Sequence, residues 1–168
     1  MSTVLLASNA ARMIAELAAE ADDGLETGGI LLGTDHGLAG PIVVEHCGGP
    51  GPKAVRRSNY FRRDLEHAAT VAANAAVADG SSWIGEWHTH GIAMPEPSSR
   101  DLRTYQILLD DPDLAFARIL AVIVLAAPDG GWQMPVLRAW SFTGSVLRQL
   151  PIHIAGSSDP ANCQGTAS

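Results

Sequence analysis

What the chain is short of narrows the field first. Charged residues make up only 17% of its 168 positions, below the roughly 25% usual in soluble domains. That excludes the charge-rich composition of a disordered chain. Basic residues are the scarcer sign, 11 against 18 acidic, for a formal charge of −7. A protein that grips nucleic acid by its phosphates shows the opposite balance, so nucleic acid is not an expected partner. The one local basic cluster, Arg56, Arg57, Arg62 and Arg63, is too narrow for a duplex footprint and reads as a solvated face or a protein-contact patch. Cysteine is nearly missing. Cys47 and Cys163 stand far apart in no Cys-x-x-Cys pair, which argues against a disulfide scaffold or a zinc ribbon, and Cys47 reads as a small buried apolar residue. The first eleven residues lack the basic start and apolar run of a signal peptide. The longest apolar run, 119–127, falls far short of the roughly 20 residues of a membrane helix. A soluble, cytoplasmic protein without membrane attachment is the expectation.

The apolar share, 46%, is ordinary, and the length suits one domain whose core needs no disulfide staples. Periodicity predicts a helix over 10–21, capped by Ser8 and stopped by Gly24, with Met13, Ile14, Leu17 and Ala18 as its apolar stripe. Short buried strands follow at 29–33 and 42–44, separated by a turn rich in Asp and Gly. The alanine-rich stretch 63–78 predicts a second helix and 98–109 a third; 82–90, 118–126 and 132–142 predict strands, with Pro135 marking a bulge or an edge in the last. The sum is a single α/β domain over 1–154, a mixed central sheet flanked by about three helices, followed by a small, polar tail over 155–168 expected to be disordered.

The chemistry concentrates in Gly85-Glu86-Trp87-His88-Thr89-His90 and, after a loop, Ser98-Ser99-Arg100-Asp101. Residues two apart on a strand share a face, so His88 and His90 can present two imidazoles to one point. Ser98 stands where a helix should begin, and Asp101 falls in its first turn, where folding the 91–97 loop back would bring the carboxylate to the imidazoles. Three N/O ligands leave a tetrahedral zinc one open position, the catalytic rather than the structural pattern. Glu26, in Leu25-Glu26-Thr27-Gly28-Gly29 at the mouth of a buried strand, is a candidate base whose pKa desolvation would raise. Ser98 is a candidate oxyanion donor. Each residue alone has a plainer role. His-x-His can be core packing, Ser-x-x-Asp can be only a helix cap with a first-turn acid, and Glu26 can be a junction acid. Glu86 and Glu96 read as solvated or supporting acids.

The combination resembles the JAMM motif of the JAB/MPN metalloprotease family: an early glutamate, then His-x-His, seven residues, Ser-x-x-Asp. Glu26-Thr27-Gly28-Gly29-Ile30-Leu31-Leu32-Gly33 looks like that family's first strand, and the stretch ending in His88-Thr89-His90 looks like its bacterial branch. The resemblance covers roughly 7–142. It implies a cytidine-deaminase-like α/β domain holding one Zn2+ per chain on His88, His90 and Asp101. It also implies Glu26 as the acid that deprotonates the zinc water and Ser98 as the oxyanion stabiliser. One departure is Gly91, where the family usually has proline; glycine there should loosen the 91–97 loop. The implied activity is hydrolysis of an amide bond at the C-terminal glycine of a ubiquitin-like protein or its conjugate, with activating or conjugating enzymes as associated partners. The expected cleft lies between the 91–97 loop and the strand around 42–46. Three other readings stay open: a zinc hydrolase of a sulfur-carrier adduct or small amide, a non-catalytic scaffold of the same fold, and a role beside DNA repair as for relatives of RadC, which the net acidity disfavours.

Overall fold

The structure is a computed structural model that describes residues 2–91 and 94–156. Its centre is an eight-stranded mixed sheet. In chain order the elements are β1 (Val4–Leu6), α1 (Ser8–Glu20), β2 (Gly28–Asp35), β3 (Ile42–Cys47), β4 (Val55–Arg57), β5 (Tyr60–Arg62), α2 (Leu65–Asp79), β6 (Ser82–Thr89), α3 (Ser99–Asp110), β7 (Ile119–Leu125), β8 (Val136–Phe142), β9 (Leu147–Leu150) and β10 (Ile152–Ile154). The sheet order is β10-β1-β3-β2-β6-β7-β8-β9, and β4 with β5 forms a separate hairpin. β6 runs antiparallel to β2 and parallel to β7, with His88 opposite Gly28 on one side and Ile123 on the other.

The unbroken apolar run of β7 is buried at every position, as a strand covered on both faces must be. Its even residues Leu120, Val122 and Val124 join Ile14 of α1, Leu31 and Trp87 in one cluster. Its odd residues Ile119 and Ala121 pack with Tyr105 and Leu108 of α3, and Ala68 of α2 covers Ile30 and Leu32 of β2. The helices therefore cover both faces. Trp87 faces the α1 side, so alternation turns its neighbours Glu86 and His88 toward α2 and α3.

Several sequence expectations shift. Ala7, not Ser8, is the N-cap of α1, and no side chain caps it. β1 runs straight into the helix and leaves Ser8 inside the first turn, where its hydroxyl donates to the Ala155 carbonyl. α1 ends at Glu20, and Gly24, at φ 78, reverses the chain beyond it. α2 starts at Leu65 because the Asp64 carboxylate caps it, accepting from the His67 N–H at 3.2 Å. Pro135 marks neither bulge nor edge: β8 lies between β7 and β9 and begins after it, since an interior strand needs the N–H that proline lacks. β1, β4, β5, β9 and β10 span only three or four residues each, too few for alternation to mark them. Positions 157–168 of the expected tail, Cys163 among them, lie outside the described residues.

Candidate functional site

The end of β6 delivers the two imidazoles. His88 is the last residue but one of the strand, and His90 follows one residue past it, held by a backbone hydrogen bond to Val124 at 3.0 Å. Their Nε2 atoms face each other at 2.8 Å. α3 delivers the third group: Asp101 Oδ2 lies 3.4 Å from His88 Nε2 and 3.2 Å from His90 Nε2. The helix start is fixed by a reciprocal capping box. Ser98 Oγ accepts from the Asp101 N–H at 3.2 Å, and Asp101 Oδ2 accepts from the Ser98 N–H at 2.7 Å. The capping reading of Ser-x-x-Asp is what the structure shows, and it does not conflict with a site role, because the carboxylate that caps the helix also faces the imidazoles.

Glu26 closes the arrangement from the β2 side. One donor atom each from Glu26, His88 and His90 lies within 4.8 Å of the others. Gly28, two residues on, is where the sheet demands glycine: a Cβ there would sit 2.7 Å from the His88 Cβ and closer still to the Trp87 carbonyl. All four groups are buried, with 2–8% of each residue exposed. Burial, with the nearby Asp101 charge adding to it, pushes the Glu26 carboxyl up to about 7 against the opposing pull of His90 and Arg100. Burial would raise Asp101 too, but its hydrogen bonds with His88 and His90 win and hold it far below the usual carboxylate range. Burial lowers His88 in spite of Asp101. For His90 the balance is reversed: Asp101 and the Met94 carbonyl outweigh burial and raise it.

Two imidazoles with Glu26 on one side and Asp101 on the other are a donor set that fits a divalent metal. The Nε2, Nε2 and Oδ2 atoms form a triangle with 2.8–3.4 Å edges, while donors about 2.0–2.1 Å from a tetrahedral ion stand about 3.3 Å apart. His90 Nδ1 lies 2.9 Å from the Met94 carbonyl, which can only accept. The ring proton is therefore assigned to Nδ1, and Nε2 keeps the lone pair a metal needs. Glu26 and Asp101 both reach the pair; Asp101 is the better ligand candidate, since its Oδ2 makes the shorter contacts to both rings.

Other side chains at the site went unread in the sequence. The β4–β5 hairpin stacks Phe61 on His88, ring centroids 6.4 Å apart. Tyr60 of the same hairpin carries the Arg100 guanidinium 4.9 Å from its ring centroid. The basic cluster is not one solvated patch: Arg63 and Glu86 form a buried ion pair, and burial brings Arg63 down only to about 10, so it stays charged at neutral pH. Glu86 is buried with it, while Glu96 is exposed. A cleft of about 170 Å³ opens onto Glu26 and His90 between Gly24, Ser58, Gly91 and Trp132. The expected flank on β3 does not line it: Ile42 pairs with Asp35 at the far end of β2 from Gly28. Positions 92 and 93 of the 91–97 loop lie outside the described residues; beyond them the Trp140 indole donates to the Pro95 carbonyl at 3.1 Å. Cys47 is buried and its thiol is pushed up to about 12 by that burial, which leaves it inert as a nucleophile.

Set beside known proteins, the chain matches the family described as prokaryotic homologs of the JAB domain over residues 7–143. It is 28% identical over 115 residues to an Enterobacter hormaechei protein named CD-NTase/cGAS isopeptidase, covering 65% of this chain and 60% of that one. A Pseudomonas aeruginosa protein of the same name is 35% identical over 82 residues, 48% of this chain and 51% of its own length. A Sinorhizobium fredii protein named "Probable metalloprotease y4qB" is 28% identical over 110 residues, 62% and 65%. The chain thus spans between half and two thirds of the length of these relatives. A Desulfitobacterium hafniense protein solved in solution superimposes with a TM-score of 0.66 over 90% of this chain and 92% of that one, at 21% identity, and so shares the fold. The family match takes in every element from α1 to β8 and all of Glu26, His88, His90, Ser98 and Asp101, and the chain belongs to the prokaryotic homologs of the JAB domain.

Proposed function

We propose that the chain is a zinc-dependent hydrolase of amide or isopeptide bonds. His88, His90 and Asp101 hold the metal, Glu26 is the general base, and Ser98 is the oxyanion donor. The observation that carries the reading is the convergence of three buried donor atoms, at 2.8–3.4 Å, beside a fourth buried group, Glu26, whose pKa stands at about 7. Zinc held there by His88, His90 and Asp101 would supply a Lewis acid and acidify a water towards neutrality. The Glu26 carboxylate would take a proton from the attacking water and return it to the departing amine. The Ser98 Oγ accepts from the Asp101 N–H and its hydroxyl also bonds the Asp101 carboxylate; turned from that carboxylate, the O–H would donate to the developing oxyanion. Asp101, already ionised, needs no change of charge to serve as a ligand.

The substrate reading rests on the cleft and the relatives. The isopeptidase name of two relatives supports an isopeptide as the scissile bond; the bond proposed is at the C-terminal glycine of a ubiquitin-like protein, free or conjugated. The small volume beside Glu26 and His90 favours a backbone without side chains at that bond. Enzymes that activate or conjugate the same modifier are the proposed partners, and the cytoplasm the proposed compartment; among the described residues no helix is long and apolar enough to cross a membrane.

The test pairs zinc stoichiometry with cleavage of a ubiquitin-like protein joined through Gly-Gly to a reporter amine. Wild type should hold one zinc and cleave. Glu26→Gln should hold zinc and lose on the order of 10²–10⁴ in rate, and the double variant His88→Ala/His90→Ala should hold none. A fully active Glu26→Gln would remove the base assignment, and zinc retained by the double variant would place the ligands elsewhere.

A further inference from the structure

Glu26 stands in no helix or strand: α1 ends at Glu20 and β2 begins at Gly28. A general base on an irregular connector needs something rigid to hold it. On the β2 side Thr27 is tied to Thr89, its N–H to Thr89 Oγ1 at 2.9 Å and the Thr89 N–H to the Thr27 carbonyl at 2.8 Å; on the α1 side the side-chain contacts converge on Arg56. Arg56 Nε donates to the Glu26 carbonyl at 3.1 Å. The same guanidinium reaches the Asp23 carboxylate at 2.8 and 3.1 Å, the Ala21 carbonyl at 3.3 Å and the Leu25 carbonyl at 3.4 Å. The Glu26 N–H meanwhile donates to the carbonyl of Arg57, the next residue of β4, at 2.8 Å. Both main-chain polar groups of Glu26 therefore end on consecutive residues of one strand, and one fork of donors ties the connector from Ala21 to Glu26.

Arg56 pairs across the hairpin with Phe61, so the two side chains leave the same face. Phe61 stacks on His88. One face of an eight-residue hairpin thus braces the connector that carries the base and one of the imidazoles it must face. We propose that Arg56 is the positioning residue for Glu26, and that the β4–β5 hairpin sets the distance between the base and the metal-binding imidazoles. The proposal rests on Glu26 being the general base. Lysine cannot substitute: its ammonium is a point charge, whereas this site uses the planar guanidinium to reach four acceptor residues at once.

The experiment uses the full chain loaded with zinc, as wild type, Arg56→Ala, Arg56→Lys and Glu26→Gln. It measures zinc content, kcat and KM on the Gly-Gly reporter, and backbone amide exchange. Arg56→Ala should keep one zinc and an unchanged KM but lose kcat by about 10- to 100-fold, the scale of a base displaced by up to about 1 Å. Arg56→Lys should recover little of it. Amides of residues 21–27 should exchange faster in both Arg56 variants, while those of β7 stay as protected as in wild type. Wild-type kcat in Arg56→Ala, or faster exchange spread into β7, would overturn the proposal. An active Glu26→Gln would instead remove the base reading on which the proposal stands, while exchange at 21–27 would still report whether Arg56 holds the connector.

Discussion

Glu26 is the carboxyl whose environment brings its titration to neutral pH. Burial, the largest cause, raises its carboxyl from 4.5 to about 7. A carboxyl whose folded pKa lies above its unfolded pKa favours the fold while protonated, and that advantage is lost as pH rises from about 4.5 through about 7. The full span is worth roughly 3 kcal/mol at most. Metal-free protein should therefore grow less stable across this window, and Glu26→Gln, treated with the same chelator, should flatten that part of the slope. Urea unfolding at pH 4.5, 6 and 7.5 measures it; parallel slopes in the two proteins would mean that Glu26 titrates normally. The identity and spacing of His88, His90, Ser98 and Asp101 were legible in the sequence, because two-residue alternation and a helix cap are local rules. Arg56 was not: its five hydrogen bonds reach residues 30 to 35 positions away, and no local pattern in a run of arginines separates a brace from a solvated face.

At the scale of elements, the segment after β6 shows how far a glycine departs from the family's usual proline. Gly91 is exposed, its φ lies outside the left-handed region, and a Cβ placed on it would meet nothing within 4 Å. Among the described residues no packing contact needs glycine there. The flanks are tied by the Met94 N–H on the Gly91 carbonyl at 2.9 Å and by the Met94 carbonyl on His90. Gly91→Ala should therefore stabilise by about 0.4–1 kcal/mol through the unfolded chain, a rise of about 1–4 °C in Tm for a domain of this size. Calorimetry of the metal-free protein checks it; a lower Tm would show that the turn uses the freedom of glycine. Helices and long strands followed the sequence pattern within a few residues because caps, alanine runs and β-branched runs are local signals. The three-residue strands did not, since what makes them strands is the neighbour they pair with.

At the scale of the molecule, the proposed metal joins β6 to α3 across the 91–97 loop, so its removal should be felt in global stability. An ion that binds only the folded state at 1,000 times its Kd contributes about 4 kcal/mol, on the order of 10 °C here. Chelation should lower Tm by that order, zinc should restore it in a concentration-dependent way, and His88→Ala/His90→Ala should respond to neither. A Tm that ignores both reagents in wild type would argue against a metal at this point. By itself, the sequence determined the α/β class, the covered central strand, the His-x-His face and the Ser-x-x-Asp helix start, because each depends on residues within a turn or a strand of one another. Only the tertiary structure decided that Ser58 of the hairpin, not β3, lines the cleft, that Arg63 is buried on Glu86, and that Arg56 bonds the Glu26 carbonyl. Those outcomes depend on which distant segments pack together, and they come from burying the faces of the sheet and of its covering helices at once.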